Sequence, residues 1–343
     1  MHIAQTNHGE VVLLAELRRH PVSGEWVVIC PEKSTLISSD GGDGCIYCPG
    51  NETRTGQEIL RVGANGSTGG SDWKVRVVAE SPPLFHVEGD FGKKAAGICD
   101  RMEAIGAHEI VVESPYHDIE FEDLDDAQTY RLLDTLRMRS EDLSKDRRLR
   151  QVLIFKVRSL TPECPRSHPT WHIVSTPFVP ALIKQELNGS REYFAYKERC
   201  VLCDYIREEL RVKARVIHED SEAIAVSPYS ARFPFEVWVL PLSHSPDFRS
   251  IRPEEISGVG RVLKRVIGGL KRLPNSEGYI VSIHTAPYRK PKADAWKTLD
   301  LDYHWHVQIR PRVDLLNGLK ESGGFHLNPI PPEEAAKTIA ALC

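Results

Sequence analysis

The chain has 343 residues, 41% of them hydrophobic, enough for one large or two medium domains held together by burial alone. With 44 basic against 48 acidic residues and a formal charge of -4, it carries no positive excess for a nucleic-acid backbone, so no polymeric nucleic acid is expected as a partner. Met1 to Glu10 is polar and lacks the basic start and apolar run of a secretory signal, and no stretch approaches the roughly 18 apolar residues of a membrane span; a cytoplasmic protein with no membrane partner is expected.

Along the chain, strand-like apolar alternation occurs at Glu25–Ile29, Lys74–Ala79, Glu109–Glu113 and Val152–Lys156. Loops rich in Gly, Ser, Asp and Asn, Ser38–Gly44 and Gly63–Ser71, flank a first Cys-x-x-Cys pair, Cys45 and Cys48. A helix is predicted from about Glu122 to Leu143, with Leu124, Ala127, Tyr130, Leu133 and Leu136 as its apolar stripe. Pro177 and Pro180 end a strand, and a charged stretch follows, which sets a boundary near Phe178–Tyr196 and divides the chain into halves 1–180 and 181–343.

The second half repeats this order. A second pair, Cys200 and Cys203, precedes strands near Ala223–Val226, Glu236–Leu240 and Tyr279–Ile283, with a helix at Pro253–Leu273 striped by Ile256, Val259, Leu263, Val266, Leu270 and Leu273. In each half a strand runs into a histidine before the helix, ending at His117 in one and His244 in the other. The matched order implies an internal duplication: an α+β chain of two halves, each an antiparallel sheet with helices.

Each half also holds the parts of a zinc site. A Cys-x-x-Cys turn supplies two thiolates from one short loop, and distant histidines close the tetrahedron. The expected sets are Cys45, Cys48, His117 and His168, and Cys200, Cys203, His244 and His304, so two zinc ions per chain. The bland alternative makes the cysteines small buried hydrophobes and the histidines ordinary polar residues. Sites with four protein ligands are closed, so these metals are expected to be structural. Cys30, Cys99, Cys164 and Cys343 have no such partners in the pattern.

On an extended strand alternate residues share a face, which aligns His304, His306 and Gln308 in one half and His168, Thr170 and His172 in the other. The stretch Asp302-Tyr-His-Trp-His-Val-Gln308, together with Leu17-Arg-Arg-His-Pro-Val-Ser-Gly-Glu-Trp26 and Ser175-Thr-Pro-Phe-Val-Pro180, resembles the signatures of the galactose-1-phosphate uridylyltransferases of the histidine-triad superfamily. The resemblance runs over nearly the whole chain. It implies two histidine-triad-like halves, a metal in each and a homodimer. It also implies a two-step mechanism in which a histidine attacks the α-phosphorus of a nucleotide sugar and passes the nucleotide to a sugar phosphate or phosphate acceptor.

Carried over residue by residue, the first-half strand has Thr170 where that family has its nucleophilic histidine and His172 where it has glutamine. Phe155–Arg166 replaces the usual small-residue stretch, and Glu80 stands where asparagine is usual. The second-half strand keeps His306 and Gln308, which points to a relocated reaction centre; the competing expectation gives His306 a structural or metal-binding role. The family's other metal set, one glutamate and three histidines, would map onto Glu186, His284, His304 and His306, whereas the thiolate set leaves His306 free and makes His284 a phosphate contact or a plain polar strand residue. The expected activity is nucleotidyl transfer, phosphorolysis or hydrolysis of a nucleotide sugar or other nucleotide conjugate. A non-catalytic nucleotide- or sugar-phosphate-binding protein is the alternative.

Overall fold

The structure is a computed structural model, and it describes residues 3–5, 11–13, 15–31, 44–69, 72–159, 168–274, 276–289, 296–312 and 323–343. The predicted loop at Ser38–Gly44, apart from Gly44, and the Leu160–Arg166 part of the replaced stretch, which includes Cys164, lie outside the described residues.

Ten strands form one sheet. They are β5 (Glu58–Gly63), β6 (Trp73–Ala79), β9 (Ala107–Val112), β10 (Gln151–Ser159) and β11 (Thr170–Thr176) from the first half. From the second come β12 (Val216–Glu219), β13 (Ala223–Val226), β14 (Val237–Pro241), β15 (Gly278–His284) and β16 (His306–Pro311). Their order is β12-β13-β14-β16-β15-β10-β11-β9-β6-β5, with every neighbouring pair antiparallel. Read outward from the β10–β15 seam, the two halves have the same connectivity, and in each a long helix follows the third strand: α1 (Asp126–Ser144) and α4 (Pro253–Lys271). The α+β duplication expected from the sequence is therefore present, and both halves share one sheet.

The seam depends on Gly278. At its φ of +129° a side chain is strained, and a Cβ there would lie 2.0 Å from the carbonyl oxygen of Arg158 on β10. One face of the sheet carries Trp171, Ile173, Val281, Ile283, Val307 and Ile309, all packed with α1 and α4 into the main core. The α4 stripe Ile256, Val259, Leu263, Val266 and Leu270 is buried as predicted, each side chain contributing roughly 1.5–3 kcal/mol. In α1 the stripe is rotated, so that Ala127 is exposed while Leu132, Leu133 and Leu136 are buried. The reason is its start: a single 3-10 turn (Phe121–Asp123) comes first, and Asp125 caps α1 by accepting from the Gln128 amide at 2.6 Å.

The opposite face is covered differently in each half. Over the first half lies a four-stranded sheet of β3 (Glu16–Arg19), β4 (Trp26–Ile29), β7 (Lys94–Ala96) and β8 (Cys99–Glu103), which buries Leu17 and Met102 against Val174 of the main sheet, with Phe85 in the same cluster. Over the second half lie α2 (Ala181–Lys197) and α3 (Val201–Val212). The segment Phe178–Tyr196, taken above as a boundary, is thus largely helix. Among the described residues no helix is long and apolar enough to cross a membrane.

Candidate functional site

The first set of metal donors assembles as its sequence order predicts. Cys45 and Cys48 lie on a tight turn, closed by the Cys48 amide donating to the Cys45 carbonyl at 3.3 Å. His117 follows β9, and His168 enters β11. Cys48 Sγ is 3.5 Å from His117 Nδ1 and 3.7 Å from His168 Nδ1, and Cys45 Sγ is 3.8 Å from His168 Nδ1. His168 Nε2 donates to the Ser114 carbonyl at 2.7 Å, which fixes the ring and leaves Nδ1 with its lone pair toward the sulfurs.

The second set mirrors it. Cys200 is the N-cap of α3 and Cys203 sits in its first turn; His244 follows β14 and His304 precedes β16. Cys203 Sγ is 3.3 Å from His244 Nδ1 and 3.4 Å from His304 Nδ1, and His244 Nε2 lies 3.0 Å from the Asp300 carbonyl. A hydrogen bond from Cys203, working against burial and aided by His244 and His304, holds Cys200 as a thiolate, down to about 2, while Cys203 is pushed up by the same bond. A zinc tetrahedron with about 2.3 Å to sulfur and about 2.0–2.1 Å to nitrogen separates sulfur from nitrogen by about 3.5 Å. These spacings bracket that value, and in each set all four donor atoms lie within 4.8 Å of one another. Both sets could hold a metal ion, and their chemistry suits zinc.

On β16 the face opposite the core presents His306 and Gln308, both buried. Register places His284 directly across from His306 on β15, and Trp238 across from Gln308 on β14. His306 Nδ1 lies 3.2 Å from the His304 carbonyl and so carries the proton, which leaves the lone pair on Nε2. Burial, then the neighbouring His284, lowers its pKa to about 4, so the imidazole is neutral at pH 7. His284 Nδ1 is 2.9 Å from Glu186 Oε2 on α2, and the Tyr303 hydroxyl donates to the same oxygen at 3.3 Å. Although burial opposes it, hydrogen bonding from His284 holds Glu186 below its ordinary value.

A cavity of about 590 Å³ opens beside these groups. His306, Gln308, Glu186 and Arg232 supply its polar edge, and Tyr205 and Trp238 stand in its largely apolar wall. Arg232 Nη2 donates to Gln308 Oε1 at 2.8 Å, and Gln308 Nε2 is 3.1 Å from His306 Nε2. Arg232 had no periodic signal in the sequence, since it lies in the turn-rich stretch Ser227–Phe235, whereas Trp238 fell in the predicted strand Glu236–Leu240 with no role of its own assigned.

The first-half strand is arranged otherwise. Thr170 is half-buried, and His172 lies flat on Phe155, ring centroids 5.0 Å apart with planes 5° apart, with its Nδ1 3.1 Å from His108 Nε2. Glu80 meets the same neighbourhood through its backbone amide, which donates to the His108 carbonyl at 2.9 Å. The glutamate-and-histidine set considered above divides: His304 faces the thiolates, while Glu186, His284 and His306 form a third group with donor atoms within 4.8 Å.

Residues 186–313 match the family model described as galactose-1-phosphate uridyl transferase, C-terminal domain. The chain is 27% identical over 336 residues to the ADP-glucose phosphorylase of Arabidopsis thaliana, covering 94% of this chain and 92% of that protein. It is 25% identical over 333 residues to the galactose-1-phosphate uridylyltransferase of Thermotoga maritima, covering 95% and 98%. The crystal structure of the Arabidopsis ADP-glucose phosphorylase with bound ADP-glucose aligns with a TM-score of 0.76 at 27% identity, over 96% of this chain and 98% of that one. A uridylyltransferase structure shares the fold, with a TM-score of 0.79 at 22% identity over 95% and 98%. The resemblance to the galactose-1-phosphate uridylyltransferases read from the strand motifs therefore holds, together with the fold of two matched α+β halves.

Proposed function

We propose that the chain transfers a nucleotidyl group from a nucleotide sugar to a phosphate or sugar-phosphate acceptor, with its reaction centre on β16 rather than β11. The observation that carries this reading is the cavity lined by His306 and Gln308, set against a first-half strand that offers Thr170 and a His172 already engaged by His108 and Phe155. The names of two relatives, one a phosphorylase of ADP-glucose and the other a galactose-1-phosphate uridylyltransferase, support a nucleotide sugar as the substrate class.

In the first step the Nε2 lone pair of His306 attacks the α-phosphorus; the P–N bond forms, the bridging P–O bond breaks, and the sugar 1-phosphate leaves with the electron pair. In the second, an acceptor phosphate oxygen attacks the same phosphorus and the P–N bond breaks, which returns neutral His306. The Gln308 amide donates to the phosphoryl oxygens as charge develops on them. Tyr205 and Trp238 give the nucleobase apolar ring faces to stack on. Zinc at Cys200, Cys203, His244 and His304 would brace the chain just before β16, and through His304 it would fix His306, while zinc at Cys45, Cys48, His117 and His168 would brace the start of β11; it would supply structure, and no step passes through it. The cytoplasmic homodimer expected from the sequence belongs to this same reading.

A second reading, a binding protein that has lost turnover, is favoured by Thr170 alone. Brief exposure to ADP-glucose and UDP-glucose followed by mass spectrometry separates the two. A nucleotidyl adduct on His306 supports transfer; tight binding with neither adduct nor released nucleotide supports the binding protein.

A further inference from the structure

Arg232 has no place in the sequence motif, yet its guanidinium makes the contact that gives Gln308 a defined polarity. A glutamine amide has one accepting and one donating end, and a guanidinium can only donate. The end of Gln308 that lies 2.8 Å from Arg232 Nη2 must therefore be the oxygen, and the NH₂ is left facing His306 Nε2 at 3.1 Å. Arg232 is itself held: its backbone amide donates to Glu236 Oε2 at 2.7 Å, and the fully buried Glu236 also accepts from Trp238 Nε1 at 3.0 Å. The turn before β14 is thereby tied to the wall of the cavity.

We infer that Arg232 is a positioning residue for nucleotidyl transfer, acting through Gln308 to keep the amide donor, and never the amide oxygen, turned toward the phosphoryl group on His306. With the guanidinium removed, the amide can rotate and present its carbonyl to anionic phosphoryl oxygens, replacing a hydrogen bond with a repulsion. This rests on the reading of His306 as the reacting group.

The test uses the full-length, zinc-loaded protein with ADP-glucose as probe, and compares Arg232→Met with Arg232→Lys. The Met variant should form the adduct at least about tenfold more slowly at saturating probe, since losing a single well-placed donor outright costs about 10²–10³. Its KM should stay within about threefold, because the loss falls on the transition state rather than on binding. The Lys variant, which keeps a donor to Gln308 Oε1, should recover to within about threefold of the unmodified rate. A Met variant with an unchanged rate, or one altered only in KM, overturns the proposal. If the Met variant fails to fold, Gln308→Glu makes the same test: its carboxylate keeps the Arg232 pair but cannot donate toward His306, and an unchanged rate in that variant overturns the proposal equally.

A second readout does not need turnover. The side-chain ¹⁵N–¹H signals of Gln308 should be displaced or broadened in Arg232→Met and retained in Arg232→Lys. Should the unmodified protein form no adduct at all, the nucleophile reading falls and the role in transfer falls with it, and the amide spectrum then decides the Arg232–Gln308 placement by itself: unchanged signals in Arg232→Met overturn it, and displaced or broadened signals uphold it.

Discussion

His284 and His306 face each other across the β15–β16 ladder, with ring centroids 5.0 Å apart and planes 24° apart. Trp238 lies on the other side of His306 at 5.5 Å. The imidazole is thus clamped between two rings, with Nδ1 tied to the His304 carbonyl and the lone pair on Nε2, where it meets the Gln308 NH₂ at 3.1 Å.

From that clamp follows the first prediction: His306→Ala abolishes any nucleotidyl adduct while both zinc ions stay bound. Thr170→Ala, on the strand without a reacting histidine, should change the rate by less than about threefold. Mass spectrometry of trapped protein and elemental analysis make the check. An adduct on His172, or full activity in His306→Ala, would sink the relocated centre. Metal loss in His306→Ala would instead make it a ligand with Glu186 and His284.

Two zinc ions per chain are expected by elemental analysis of carefully prepared protein. Cys45→Ala and Cys200→Ala should each lose one ion and about 3 kcal/mol or more of stability, because metal-binding free energy at a closed site is folding free energy. Denaturant unfolding of both variants measures this. Normal stability in the two would leave the cysteines as small buried hydrophobes.

The thiolate sets were legible in the sequence because the turn spacing and the order cysteine pair, post-strand histidine, pre-strand histidine recur. Helix α2 was not legible: its buried residues, Ile183, Leu187 and Ser190, make a narrow stripe amid charge, and Pro180 caps it without a side-chain hydrogen bond. Arg232 was not legible either, since a turn residue acquires its role only when β16 is laid beside β14. The His306 and Gln308 alternation was readable from the strand, but the cavity beside it depends on α2 and α3 covering this half where the small sheet covers the other.

Restoring the family residue in the first half should not restore its chemistry. Thr170→His would place an imidazole beside a His172 that is stacked on Phe155 and bonded to His108, on a strand whose Val174 is packed over by Leu17, Phe85 and Met102. Uridylyl exchange between UDP-glucose and galactose 1-phosphate is expected to stay within about threefold of the unmodified protein. A gain of about a hundredfold or more would show that one side chain suffices.

The last prediction concerns the buried pair of Lys156 on β10 with Glu113, both essentially without exposure. Burial raises the Glu113 carboxyl above its ordinary value; Lys156 opposes that rise, and Glu120 and Glu122 add to it. An acid whose folded pKa exceeds its unfolded one contributes nothing below the unfolded value, and costs stability as pH rises from there through the folded value. Lys156→Met removes the main opposing charge, so the folded pKa of Glu113 should climb further and the cost at neutral pH should grow. Breaking a buried pair costs about 3–5 kcal/mol. The variant should therefore lose about that much at pH 7 and progressively less as the pH falls through and below the ordinary glutamate pKa of about 4.3, since Glu113 is protonated in both states only well below that value. Urea unfolding of both proteins across this range tests it. A loss that is the same at both ends would mean Glu113 is not the group left exposed to the cost.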